Sequence, residues 1–141
     1  MVLKSMKSII RILLFQFLIF LFSCEEHGLF VKCSECLADE PLKANLELSF
    51  NNSNYSSVKV SIYEGNIEDN ILYTSFTIYG EESTTVSVRI NKMYSATATY
   101  SVSNDNIVVV DAAIPRVTYS EDQCDEPCYY VYDKKLDLRL K

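Results

Sequence analysis

The chain has no tryptophan, one histidine, three glycines and three prolines among its 141 residues. Each shortage removes a class of function. His27 stands alone, ahead of any regular pattern, where a preorganised general base has no support; it reads as part of a surface tether. No GxSxG turn, phosphate-cradling glycine loop or HExxH helix occurs. With so little glycine and proline, the turns fall to Asn, Asp and Ser. Basic charge is also scarce, 13 Lys and Arg against 19 Asp and Glu for a net charge of -6. No Lys/Arg cluster stands out, so nucleic acid is a poor partner. The carboxylate pairs Glu68-Asp69, Glu81-Glu82 and Glu121-Asp122 fall in turn-rich stretches and read as solvated loops. Catalytic residues and a metal are therefore not expected. No repeat of fixed period is visible, and the length suits one domain with a single core.

The one long apolar run, Ile12 to Phe22 interrupted by Gln16, is itself short. The 12 residues between Arg11 and Cys24 reach about 18 Å as a helix, well below the roughly 30 Å hydrocarbon core of a bilayer. Spanning would need Ile9 and Ile10 as well, with Arg11 snorkelling to the headgroups. Lys4, Lys7 and Arg11 ahead of the run give it the form of a signal segment. Its ending, Leu21-Phe22-Ser23-Cys24, resembles the lipobox of bacterial lipoproteins, with Phe22 a bulky departure at the middle position. The resemblance implies cleavage before Cys24 and acylation of Cys24, palmitate among the chains. Two or three acyl chains, at about 0.8 kcal/mol per buried methylene, anchor stably. Removal of residues 1–23 takes away three bases and no acid, leaving a mature chain near -9 in charge. Glu25-Glu26, directly after the cysteine, is similar to the export signal of Bacteroidota surface lipoproteins. The implied address is the cell envelope, lipid-anchored in the outer membrane and displayed at the surface.

From Lys43 onward the chain alternates with period two, as a half-buried strand does. Leu46, Leu48 and Phe50 alternate until Asn51-Asn52-Ser53-Asn54, and Val58, Val60 and Ile62 resume until Glu64-Gly65-Asn66, which predicts two strands joined by a polar hairpin loop. Ile71 to Tyr79 is apolar or β-branched on both sides, the pattern of a central strand. Val86, Val88 and Ile90 follow, then Tyr94, Ala96, Ala98, Tyr100 and Val102 in the cleanest alternation of the chain. Ile107 to Val110 is another strand. Cys128 to Tyr132 and Leu136 to Leu140 flank Asp133-Lys134-Lys135 as a terminal hairpin. About seven to eight strands at this spacing, with no amphipathic helix, predict an all-β antiparallel sandwich. The organisation expected is a signal helix at 1–23, a tether with an early cysteine pair at 24–42, and a β-sandwich at 43–141.

The stretch Val88-Arg89-Ile90-Asn91-Lys92-Met93-Tyr94-Ser95-Ala96-Thr97-Ala98-Thr99-Tyr100 resembles the E to F region of immunoglobulin-like and fibronectin type III-like domains. The resemblance covers about fifteen residues and implies an immunoglobulin-like sandwich with Tyr94 as corner tyrosine, its hydroxyl returning to upstream backbone. The whole layout is similar to small uncharacterised Bacteroidota lipoproteins, a group that implies a fold and an address but no activity.

Four further cysteines form the best-defined constellation, Cys33-Ser34-Glu35-Cys36 and Cys124-Asp125-Glu126-Pro127-Cys128. In a reducing compartment this spacing suits tetrahedral zinc; in an oxidising envelope it suits two disulfides. A thioredoxin-like pair would need a βαβ context that is not read here. Export favours disulfides. Three pairings are possible, and the two that cross from early to late are preferred, because a bridge from Cys33 to Cys124 closes a loop of about 91 residues, worth roughly 4 to 5 kcal/mol in the chain-entropy model.

Ten tyrosines complete the picture. Alternation puts Tyr130 and Tyr132 on the face opposite Tyr129, where cross-strand packing competes with a platform for a protein or glycan ligand. The expectation is a non-enzymatic, membrane-anchored structural, adhesive or accessory binding module. The reading from another class is a four-cysteine metal-binding or thiol-redox envelope factor.

Overall fold

The alternation at Tyr94–Val102 produces the longest fully flanked strand, with Tyr94, Ala96, Ala98 and Tyr100 completely buried on one face. The coordinates are a computed structural model that describes residues 31–51, 57–103 and 105–141. In chain order the strands are β1 Lys43–Ser49, β2 Val58–Glu64, β3 Leu72–Ile78, β4 Ser83–Arg89, β5 Tyr94–Val102, β6 Asp105–Ala113, β7 Arg116–Ser120, β8 Cys128–Tyr132 and β9 Lys135–Asp137. Short 3-10 turns at Cys33–Glu35 and Ile67–Asp69 supply the helical geometry among the described residues. The protein is all-β there, and mostly antiparallel.

Three sheets result among the described residues. One has the order β3-β2-β5-β6, another β4-β1-β9, and β7 pairs with β8 alone. The first two share a core. Leu46 and Leu48 of β1, Val88 of β4 and Leu136 of β9 cluster with Val58, Val60 and Ile62 of β2 and with the four buried β5 residues. Ala96 and Ala98 leave room beside the large Tyr94 and Tyr100, so large and small side chains interleave. Each buried Leu, Ile or Val contributes about 1.5–3 kcal/mol by leaving water.

Both ends of β5 are tied by tyrosine. The Tyr94 hydroxyl oxygen accepts from the Arg89 amide at 3.1 Å, and the buried Tyr100 hydroxyl donates to the Leu138 carbonyl at 2.7 Å. Between Arg89 and Tyr94 the chain turns through Asn91 at φ 59°, a left-handed conformation that asparagine tolerates. The Asn91 amide then donates to the Pro115 carbonyl at 2.7 Å.

Several sequence expectations are corrected by the sheet order. No hairpin joins β1 to β2. Both edges of β1 are occupied, by β4 and β9, and both edges of β2 by β3 and β5, so the connection passes from one sheet to the other. The Ile71 to Tyr79 stretch is an edge strand rather than a central one. Leu72 and Tyr73 remain exposed there, and Tyr73 donates its hydroxyl to the Ser87 carbonyl of β4 at 2.7 Å. Nor do β8 and β9 form a hairpin. Asp133 at φ 52° redirects the chain, the Glu47 amide donates to the Lys134 carbonyl at 2.7 Å, and β9 lies parallel to β1 with Leu48 opposite Leu136. The purely antiparallel expectation fails at that strand. The strand β7, not expected from sequence, pairs with β8 in its place.

Candidate functional site

The CxxC segment folds as the 3-10 turn Cys33–Glu35, closed by the Cys36 amide donating to the Cys33 carbonyl at 3.4 Å. Residues three apart eclipse one another in such a turn, so Cys33 and Cys36 project to the same side. Facing them is the β7–β8 connection. The Gln123 amide donates to Ser120 Oγ at 3.3 Å where that connection begins, and the Gln123 side-chain carbonyl accepts from the Val31 amide at 3.2 Å. Two disulfides cross the gap, Cys33–Cys124 with Cα atoms 5.6 Å apart and Cys36–Cys128 with Cα atoms 5.5 Å apart.

The main chain reinforces the clasp one residue further on. Leu37 and Tyr129 exchange both amide hydrogen bonds, at 2.9 and 2.8 Å, so the segment after the turn lies against β8 as a one-residue strand. Residues read as tether from sequence are therefore docked from Val31 to Leu37. Lys134 extends the contact by pairing with Glu35 at 2.8 Å and Glu47 at 3.4 Å. Its hydrogen bond, then its charge, hold the Glu35 carboxyl below the usual carboxylate range. Lys134 is itself raised, first by that hydrogen bond to Glu35.

A groove of about 320 Å³ opens over the clasp, lined in part by Cys33, Cys36, Leu37, Cys124, Glu126 and Pro127. Cys128 is buried and Cys33 exposed, so the bridges have one sheltered side and one wet side. Among the described residues, Cys36, Cys124 and Cys128 form a group of chelating atoms close enough to share one ion. The acidic residues of the 121–126 connection are not part of it.

No protein-family model, curated protein or solved structure matches the chain.

Tyr94 opens β5, and its hydroxyl oxygen accepts from the Arg89 backbone amide upstream. Burial pushes its phenol above the ordinary value, and the Tyr73 ring packs edge-on against it with centroids 5.5 Å apart. Of the terminal tyrosines, Tyr129 sits directly opposite Tyr119 across the β7–β8 ladder, with ring centroids 4.9 Å apart. Tyr119 is 51% exposed, while Tyr129, Tyr130 and Tyr132 are all half-buried. Sequence reading missed Tyr119 because β7 was not anticipated. Cys24 and His27 lie outside the described residues. Among the described residues, no helix is long and apolar enough to cross a membrane.

Proposed function

We propose that the protein is an envelope lipoprotein, anchored in the outer membrane through acylated Cys24 and exposed at the surface, whose immunoglobulin-like sandwich acts as a non-enzymatic structural, adhesive or accessory binding module. The observation that carries this reading is the pair of disulfides joining the segment just after Cys24 to the end of the β domain. Such bridges persist in oxidising compartments, in keeping with the lipobox Leu21-Phe22-Ser23-Cys24.

The strand order supports the sandwich. With β1, β2, β4, β5 and β6 taken as strands B, C, E, F and G, one sheet reads E-B and the other C-F-G, extended by β3 at the edge beside C. That order is in keeping with a fibronectin III-like sandwich, with β9 in the place beside B that an N-terminal strand would fill. Tyr94 between E and F fits the corner position. The anchor also sets a distance. Nine residue steps separate Cys24 from Cys33, a span of at most about 32 Å when fully extended, so the clasp is held close to the bilayer surface. A module tethered that closely presents the loops far from the clasp.

The test is mass spectrometry of protein extracted from membranes. Acylated Cys24 as the N-terminal residue, with Cys33, Cys36, Cys124 and Cys128 all oxidised, supports the reading. Replacing Cys24 with Ala should release the product from membranes on detergent-free washing while leaving both bridges intact. Tight attachment of that variant would overturn the lipid anchor in favour of an uncleaved helix.

A further inference from the structure

The two bridges lie against each other. Cys36 Sγ, bonded to Cys128, stands 3.7 Å from Cys124 Sγ, bonded to Cys33. The sulfur atoms of Cys36, Cys124 and Cys128 all fall within 4.8 Å of one another. Four thiolates at about 2.3 Å from one zinc in tetrahedral geometry are about 3.8 Å apart. The 3.7 Å between Cys36 Sγ and Cys124 Sγ already matches the spacing in a thiolate cage, and opening the Cys33–Cys124 bridge frees a fourth thiol beside these three.

Two further contacts hold the same backbone segments together beside the bridges. The reciprocal Leu37–Tyr129 hydrogen bonds follow Cys36 and Cys128 by one residue each, and the Glu35–Lys134 ion pair brackets the turn from its other side. Neither contact uses sulfur. The groove over the cysteines gives an ion a way in from solvent, and the buried position of Cys128 shelters the far side. Sulfur ligands select thiophilic cations over calcium or magnesium.

We propose that, once both bridges are reduced, Cys33, Cys36, Cys124 and Cys128 bind a single zinc-class cation, so that the same four residues fasten the N-terminal segment to the β7–β8 hairpin in either redox state. Each bridge takes two electrons and two protons from a dithiol, which closes to its own cyclic disulfide. Zinc then displaces the four thiol protons, leaving a doubly negative ion–thiolate unit. The oxidised and metal-bound forms exclude one another, and an oxidant that restores the bridges ejects the ion. The inference rests on the four cysteines alone and does not depend on acylation of Cys24.

The experiment uses the full-length chain in detergent, with Cys24→Ser so that the fifth thiol takes no part. The protein is reduced with a phosphine under argon and titrated with zinc against a colorimetric chelator, then with cobalt(II) for its spectrum. Expected are one equivalent bound per reduced chain, the intense visible bands of tetrahedral cobalt–thiolate, a zinc-dependent rise in melting temperature, and no uptake by the oxidised chain. Cys33→Ser should bind more weakly, while Cys36→Ser and Cys128→Ser should each lose at least the 10- to 100-fold, roughly, that even indirect partners of a metal site cost. Uptake by the reduced chain no greater than that of a variant with all four cysteines replaced by Ala would overturn the proposal. So would a cobalt spectrum of octahedral oxygen ligation. Because binding is scored by stoichiometry and spectrum, a reduced chain that folds only with metal gives the same expected result.

Discussion

At the residue scale, hydroxyl and carboxylate groups do the joining that glycine and proline do elsewhere. The Tyr94 hydroxyl oxygen satisfies the Arg89 amide at the β4–β5 corner. Tyr94→Phe keeps the ring and removes the acceptor, and urea unfolding should show a loss of about 0.5–1.5 kcal/mol, the net worth of one hydrogen bond. Asp137 offers a test by pH. Its hydrogen bond to the Arg139 guanidinium lowers its pKa from 3.8 to about 2. A carboxyl with a depressed folded value stabilises above its unfolded pKa and loses that contribution as pH falls through the folded one. The window is therefore about pH 4 down to 2. In an NMR titration, Asp137 of the Arg139→Ala variant should titrate back toward its ordinary value, and a midpoint unchanged from the native chain would refute the assignment. The Glu35–Lys134 pair fades at both extremes by the same logic, on acidification through the lowered Glu35 value and on alkalinisation through the raised Lys134 value.

At the scale of elements, β9 carries more than its three residues suggest. Leu136 and Leu138 are essentially fully buried within the shared core, Leu138 donates its amide to the Ser49 carbonyl at 3.0 Å, and its own carbonyl receives the Tyr100 hydroxyl. Leu136→Ala should cost about 2–5 kcal/mol in chemical denaturation, as for other buried leucines. A loss below 1 kcal/mol would mean that β9 is not integral to the core. Elements with regular alternation, β1, β2 and β5, were legible in sequence because one face is buried and the other is not. Edges were not legible. The apolar residues of β3 imitate a central strand although Leu72 and Tyr73 face solvent, and β7 is five residues long, directly behind Pro115. Period two also says nothing about partners, which is why β1 and β2 looked like a hairpin, and β8 and β9 likewise. The cysteine spacing showed which residues would meet but not their pairing, since three connectivities share one sequence.

At the scale of the whole molecule, the two bridges should act far from additively. A bridge spanning 91 residues constrains the unfolded chain by about 4.6 kcal/mol in the entropy model. Once it exists, the second bridge closes only the small ring through Cys33, Cys36, Cys124 and Cys128, worth about 2.5 kcal/mol for roughly eight residues. Replacing Cys33 and Cys124 together by Ala, or Cys36 and Cys128 together, should therefore cost about 2.5 kcal/mol in either case. Removing all four should cost about 7 kcal/mol, a large share of a small domain's stability. Denaturation midpoints of the three variants decide this. Equal steps for the first and second bridge would show that native strain, not chain entropy, sets their worth.

The parallel strand β9 also determines when the domain can exist. Leu48 in β1 finds its neighbour in Leu136 only after 88 further residues have been added. A chain made or threaded N-terminus first thus carries β1 with one open flank through nearly its whole passage, and its core cannot close until residue 138 has emerged. The order of synthesis delays folding by geometry alone. Folding is completed by the last strand of the chain, however early the first strands are made.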